Sequence, residues 1–120
     1  MKEKAIDFLK KCAAGHSRVA FDLYTSPQFK HHNPGFKGDA KTLMEAMEEN
    51  AGQNPDKTFE VLRAVAEENL VMVHSRVSLG SDTPDIAVVH IFRFTNGKIE
   101  ELWDIGRHQP EDSPNENGMF

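Results

Sequence analysis

The sequence predicts an α+β domain in which three helices precede a four-stranded antiparallel meander and pack against it. Apolar residues recur at helical spacing as far as about residue 52. Beyond Asn54-Pro55-Asp56 the period becomes strand-like, in four runs rich in Val, Ile and Phe. Turn residues bound each run, so sequential strands are expected to pair with their neighbours.

Lys2–Ala14 reads as the first helix. Ile6, Leu9 and Ala13 share one face, Phe8 and Cys12 lie beside them, and Gly15 stops it. Ser17–Tyr24 is a second, shorter helix with Ser17 as its N-cap and Val19, Phe21, Leu23 and Tyr24 partly buried. Pro27 follows, and Phe29–Pro34 is a brief extended piece leading to a Pro34-Gly35 turn. Asp39 is an N-cap for the third helix, Ala40 to about Gly52, with Leu43, Met44, Met47 and Ala51 facing inward. The strand runs are Thr58–Ala66, Leu70–Leu79, Ile86–Thr95 and Lys98–Arg107. The tail from Pro110 is polar until Met119-Phe120, an apolar end expected to dock.

At 120 residues and 38% hydrophobic, the chain is expected to form one domain with a core of ordinary size. The longest apolar stretches are strand-length, well below the roughly 20 residues of a membrane helix. Met1–Ala14 is charged and helical, unlike a secretory leader. The single cysteine, Cys12, allows no internal disulfide and suits a reducing cytoplasm. A net charge of −5 without a Lys/Arg cluster argues against nucleic acid or anionic lipid as a partner.

Chemistry is expected around His90 and Asp104, each set in an apolar strand run. An ionised carboxylate in Glu101-Leu102-Trp103-Asp104-Ile105 is costly to bury unless it has a task or a partner. Parity sorts the side chains: Ile86, Val88, His90, Phe92 and Phe94 share one face, and Leu102, Asp104 and Gly106 another. Whether these faces coincide depends on the turn. A two-residue Asn96-Gly97 turn pairs Thr95 with Lys98 and sets His90 beside Trp103. A three-residue Thr95-Asn96-Gly97 loop, with Gly97 as a bulge, pairs Phe94 with Lys98 and puts His90 on the face of Leu102 and Asp104. The residues alone leave both registers open.

Other polar candidates follow from position. His74 and Arg76 share parity, and Arg76 could stabilise an enolate or, like Arg107, neutralise Asp104. His31 and His32 alternate, so at most one points inward. Tyr24 could line a pocket mouth, and Phe92 could serve as core or as ligand wall. No His-x-His or His-x-x-x-His pair favours a metal site.

The stretches Phe29-Lys30-His31-His32-Asn33-Pro34, Phe92-Arg93-Phe94-Thr95-Asn96-Gly97-Lys98-Ile99 and Glu101-Leu102-Trp103-Asp104 resemble the SnoaL-like polyketide cyclases. That family belongs to the nuclear-transport-factor-2-like superfamily, which also holds ketosteroid isomerase. The resemblance spans nearly the whole chain. It implies a single domain over residues 1–120, with a curved, mainly antiparallel sheet wrapped over three N-terminal helices into a cone around one deep pocket. It implies Asp104 as a catalytic base with His90 near it, and so selects the bulged register. It also chooses His32 over His31 and adds Asn33; strand parity and position, rather than the resemblance, add His74, Arg76, Leu102, Phe92 and Tyr24 as further expected substrate contacts. No metal or cofactor is implied, and relatives often form homodimers through the sheet's outer face. Two departures stand out: Leu102 occupies a position where many relatives have His, and Arg107 one where they often have Gln.

The function expected is cofactor-independent proton removal from a small apolar carbonyl compound, leading to aldol-type cyclisation or to isomerisation. The rival expectations are a pocket protein that binds without chemistry and an assembly protein that uses its sheet to dimerise.

Overall fold

A computed structural model describes residues 1–120. The elements run α1 (Lys2–Ala13), α2 (Ser17–Tyr24), β1 (Thr25–His31), α3 (Ala40–Gln53), β2 (Thr58–Glu67), β3 (Leu70–Ser78), β4 (Ile86–Thr95) and β5 (Lys98–His108). The three helices precede the meander β2 to β5, and no helix is long and apolar enough to cross a membrane.

The sheet has five strands rather than four, in the order β1-β5-β4-β3-β2. The added strand, β1, was expected only as a brief extended piece. It lies parallel to β5, with His31 opposite Leu102, while every other pairing is antiparallel. Pro27 suits this edge position, where a missing backbone donor is tolerated. The sheet is curved and unclosed. Register shifts in β2 after Val61, in β5 at Glu100 and along β1 insert unpaired residues that bend their strands.

One face of the sheet carries the core. Val71 and Val73 of β3, Phe92 and Phe94 of β4, and Ile99 and Leu102 of β5 meet Phe8, Leu9 and Cys12 of α1 and Phe21 of α2. Aromatic rings link the layers: Phe8 meets Phe92 edge-on at 5.9 Å between centroids and lies 5.1 Å from Phe21, which in turn contacts Phe29. Such pairs add about 0.5–1.5 kcal/mol each beyond their buried area.

Local details differ from the sequence expectations for identifiable reasons. The buried stripe of α1 is Ala5, Phe8, Leu9 and Cys12, a spacing of three, one and three, so Ile6 and Ala13 lie at its margins. Ser17 does not cap α2. It is fully buried, and its Oγ donates to the Met44 carbonyl at 2.9 Å, tying α2 to α3. Val19 and Leu23 are exposed, while Ala20 and Phe21 take the buried positions. Asp39 does cap α3, accepting from the Thr42 amide at 3.2 Å. The tail docks through Phe120, whose ring lies 4.4 Å beneath the Arg76 guanidinium.

Candidate active site

The hairpin β4–β5 combines parts of both registers considered above. Thr95 pairs with Lys98 across a two-residue turn in which Asn96 and Gly97 have φ of 51° and 76°. That left-handed pair is the type I′ geometry that Asn-Gly favours. The bulge falls further along, at Glu100: Phe94 pairs with Ile99 and Arg93 with Glu101. The extra residue shifts every later pair by one, so His90 faces Asp104 rather than Trp103. The predicted common face is present, but the bulge at Glu100 creates it, not one at Gly97. Directly opposed residues place their Cβ atoms about 4.5–5.5 Å apart.

His90 and Asp104 open onto a cavity of about 700 Å³ between the sheet and helices α1 and α3. Its apolar wall includes Leu9, Met47, Phe59, Val77 and Val88. Asn33, on the loop after β1, donates from Nδ2 to Asp104 Oδ2 at 3.0 Å. The same side chain accepts the Gly35 amide through Oδ1 at 2.9 Å, which fixes its orientation within the turn. Asp104 is thus held by Asn33, and it makes no salt bridge and no hydrogen bond to His90.

His90 is 7% exposed, and its Nδ1 is buried without a hydrogen-bond partner. Burial lowers its pKa from 6.5 to about 4. Asp104 pulls the other way, and Lys57 adds to the lowering. The imidazole is therefore neutral at pH 7, presenting one donor and one acceptor nitrogen.

Several predicted contacts lie elsewhere. His31, not His32, shares the inner face. It is buried, with Nε2 against the Lys37 carbonyl at 2.7 Å and Nδ1 accepting the Asn33 amide, so it supports the loop that carries Asn33. His32 nevertheless lines the cavity, which His31 does not. Its ring stacks on Trp103 at 5.0 Å and pairs with Glu101 at 2.6 Å, on the opposite side of β5 from Asp104. His74 and Arg76 also belong to the outer face: His74 contacts Arg63, and Arg76 pairs with Asp85 at 2.6 Å. Their strand parity opposes that of Val73 and Ser75, which face inward. Leu102 and Phe92 are almost fully buried in the core behind the cavity. Tyr24 donates to Asp7 at 2.5 Å and packs on the core, away from the cavity.

Three polar lining residues were not singled out from the sequence as site residues: Cys12, Asn50 and Lys57. Asn50 and Lys57 sit among helix-end and turn residues that read as solvated. Only the packing of α3 and β2 on α1 brings them to the cavity. The Lys57 ammonium donates to Asn50 Oδ1 at 2.7 Å. Burial pushes the Cys12 thiol pKa up to about 12, opposed by Lys57. No three His, Cys, Asp or Glu side chains converge closely enough to hold a metal ion.

The chain is similar in fold to many solved proteins. It matches an NTF-2 like protein from Burkholderia xenovorans LB400 with a TM-score of 0.71 and 23% identity, covering 93% of this chain and 88% of that one. It matches TsrD from Streptomyces laurentii with a TM-score of 0.72 and 16% identity, over 87% and 86% of the two chains. A SnoaL-like protein from Burkholderia thailandensis E264 gives 0.71 and 14%, over 88% and 94%. No protein of curated function matches. The SnoaL-like domain matches residues 6–102, most of the chain, from within α1 to the middle of β5. With that match over most of its length and the fold it shares with these solved structures, the chain belongs to the SnoaL-like domain family.

Proposed function

We propose that this protein is a cofactor-independent enzyme that moves a proton on the carbon next to a carbonyl group. Asp104 is the base and His90 its partner. The supporting observation is a carboxylate, held by Asn33, facing a neutral buried imidazole across one strand pair in a cavity with Leu, Met, Phe and Val on its walls. A carboxylate suits this task because it accepts a proton without adding to the substrate, and apolar walls keep water from competing. The C–H electrons move to the carbonyl oxygen as the proton passes to Asp104. A neutral His90 N–H then donates to the enolate oxygen. The enolate either attacks a second carbonyl carbon, closing a ring in aldol fashion, or regains a proton at another carbon.

The substrate is a small carbonyl compound with a substantial apolar body, matched to the cavity and its Leu, Met, Phe and Val walls. A second copy of the chain is proposed as partner for the sheet's outer face, where Val65, Met72 and Ile105 are exposed. Deuterium uptake from heavy water into a panel of ketones and β-diketones tests the catalytic reading. The protein should catalyse exchange, and Asp104→Asn should abolish it while leaving ligand binding. Binding without exchange by the unmodified protein would make it a carrier instead.

A further inference from the structure

Lys57 is a cavity-lining cation with no carboxylate beside it. It projects from the turn before β2 into the cavity that holds His90 and Asp104, and it is half-buried. Its ammonium has a single acceptor, the Asn50 amide oxygen at 2.7 Å, and no carboxylate lies within salt-bridge distance. Asp104 carries the opposite charge on the walls, held by the uncharged Asn33 amide with no cation in salt-bridge contact, and His90 is neutral. An ammonium offers three donors, so two remain free. Burial pulls the Lys57 pKa downward, with Cys12 opposing, as expected for a cation partly out of water without a counterion.

The placement of the two ends matters. Asp104 rises from β5, while Lys57 and Asn50 come from the α3–β2 side of the cavity. β4 and β3 separate the strand that carries Asp104 from β2, and Leu9, Met47, Phe59 and Val88 line the same cavity. A ligand reaching from β5 to the α3–β2 side meets the Asp104 carboxylate, apolar surface and the Lys57 ammonium. One ammonium with one amide matches a monoanion. The donor set is too small for a phosphate dianion, which usually collects several N–H groups.

We propose that Lys57 and Asn50 form a carboxylate-binding subsite, and that the substrate is an apolar carbonyl compound bearing a carboxylate at the end remote from the carbon deprotonated by Asp104. The chemical step assigned to this carboxylate rests on the reading of the cavity as a proton-transfer site, but its capture by Lys57 does not.

The test compares 4-acetylbenzoate, whose enolisable methyl and carboxylate lie at opposite ends of an apolar ring, with its neutral analogue 4-acetylbenzamide, each titrated calorimetrically into the full chain at neutral pH and low salt. The acid should bind at least about tenfold more tightly, as a charge-assisted contact in a partly dry site requires. Lys57→Met should bring the acid down to the level of the amide and leave amide binding within about twofold. Lys57→Arg should keep the preference. Asp104→Asn should also keep it, so loss of exchange and loss of carboxylate preference are separable failures. Equal affinity of the unmodified protein for the two probes, or binding of neither, overturns the subsite without recourse to any variant. So does a preference that survives in Lys57→Met. Preference without any proton exchange would sink the catalytic reading and leave the subsite standing.

Discussion

Asn33 and Asp104, 71 residues apart, meet through a 3.0 Å hydrogen bond that joins the loop after β1 to the last strand. The bond occupies Oδ2 and aims the other carboxylate oxygen without neutralising the group, since an amide donor carries no charge. A positively charged partner would have stabilised the anion and weakened the base.

Replacing Asn33 with Leu should therefore lower the rate of proton exchange on a bound ketone by about 10- to 100-fold, the usual range for losing a positioning contact. Substrate affinity should change little, because the lost contact is to Asp104 rather than to the ligand. Steady-state measurement of kcat and KM separates the two. A rise in KM at constant kcat would mean that Asn33 touches substrate instead.

The core makes a second prediction. Phe8 has no exposed surface and contacts both Phe21 and Phe92, joining helix α1, helix α2 and strand β4. Phe8→Ala should cost about 3–5 kcal/mol through lost burial and an unfilled cavity. Urea unfolding monitored by circular dichroism measures it. A cost below about 1 kcal/mol would mean that the helices are only loosely attached to the sheet.

Much of this arrangement is legible in the residues, and the parts that are not share a cause. Helical and strand periods place every element of the meander, because burial on one face writes a period into the sequence. Asp39 announces α3 because a cap is a local device. The face shared by His90 and Asp104 follows from parity once the bulge is located. Glu100 gives no sign that it is the unpaired residue, since its neighbours Ile99 and Glu101 would fit either register. His31 and His32 show the same limit. Two adjacent histidines carry no local mark of which faces inward, and the answer comes from the pairing of His31 with Leu102 on a parallel strand. Lys57 and Asn50 lie far from the strand motif and acquire their setting only through tertiary packing.

Cys12 yields a third prediction. Its thiol is buried, and its pKa is pushed up to about 12 by loss of solvent, so almost no thiolate forms at pH 8. Alkylation by iodoacetamide should run at least about 100-fold slower in the native protein than in urea, where an ordinary cysteine titrates near 8.5. Mass spectrometry of timed samples reads this directly. Comparable rates in the two states would mean that the α1 wall of the cavity opens freely.

His90 sets the last prediction, a pH dependence of stability. In the folded state its pKa is lowered to about 4, chiefly by burial, against 6.5 for an exposed imidazole. Asp104 and Lys57 act on the ring from opposite directions. Between these two pH values the unfolded chain binds the proton and the folded chain does not, so stability rises with pH across that window. The contribution is complete above about pH 6.5, declines as the pH falls towards 4, and changes no further below it. His90→Gln removes the titrating group but keeps a polar side chain of similar size. The urea midpoint of the unmodified protein should drop between pH 6.5 and 4 by clearly more than that of the variant. Parallel curves over this interval would mean that His90 takes up its proton while folded, and that the imidazole facing Asp104 is not held neutral by burial.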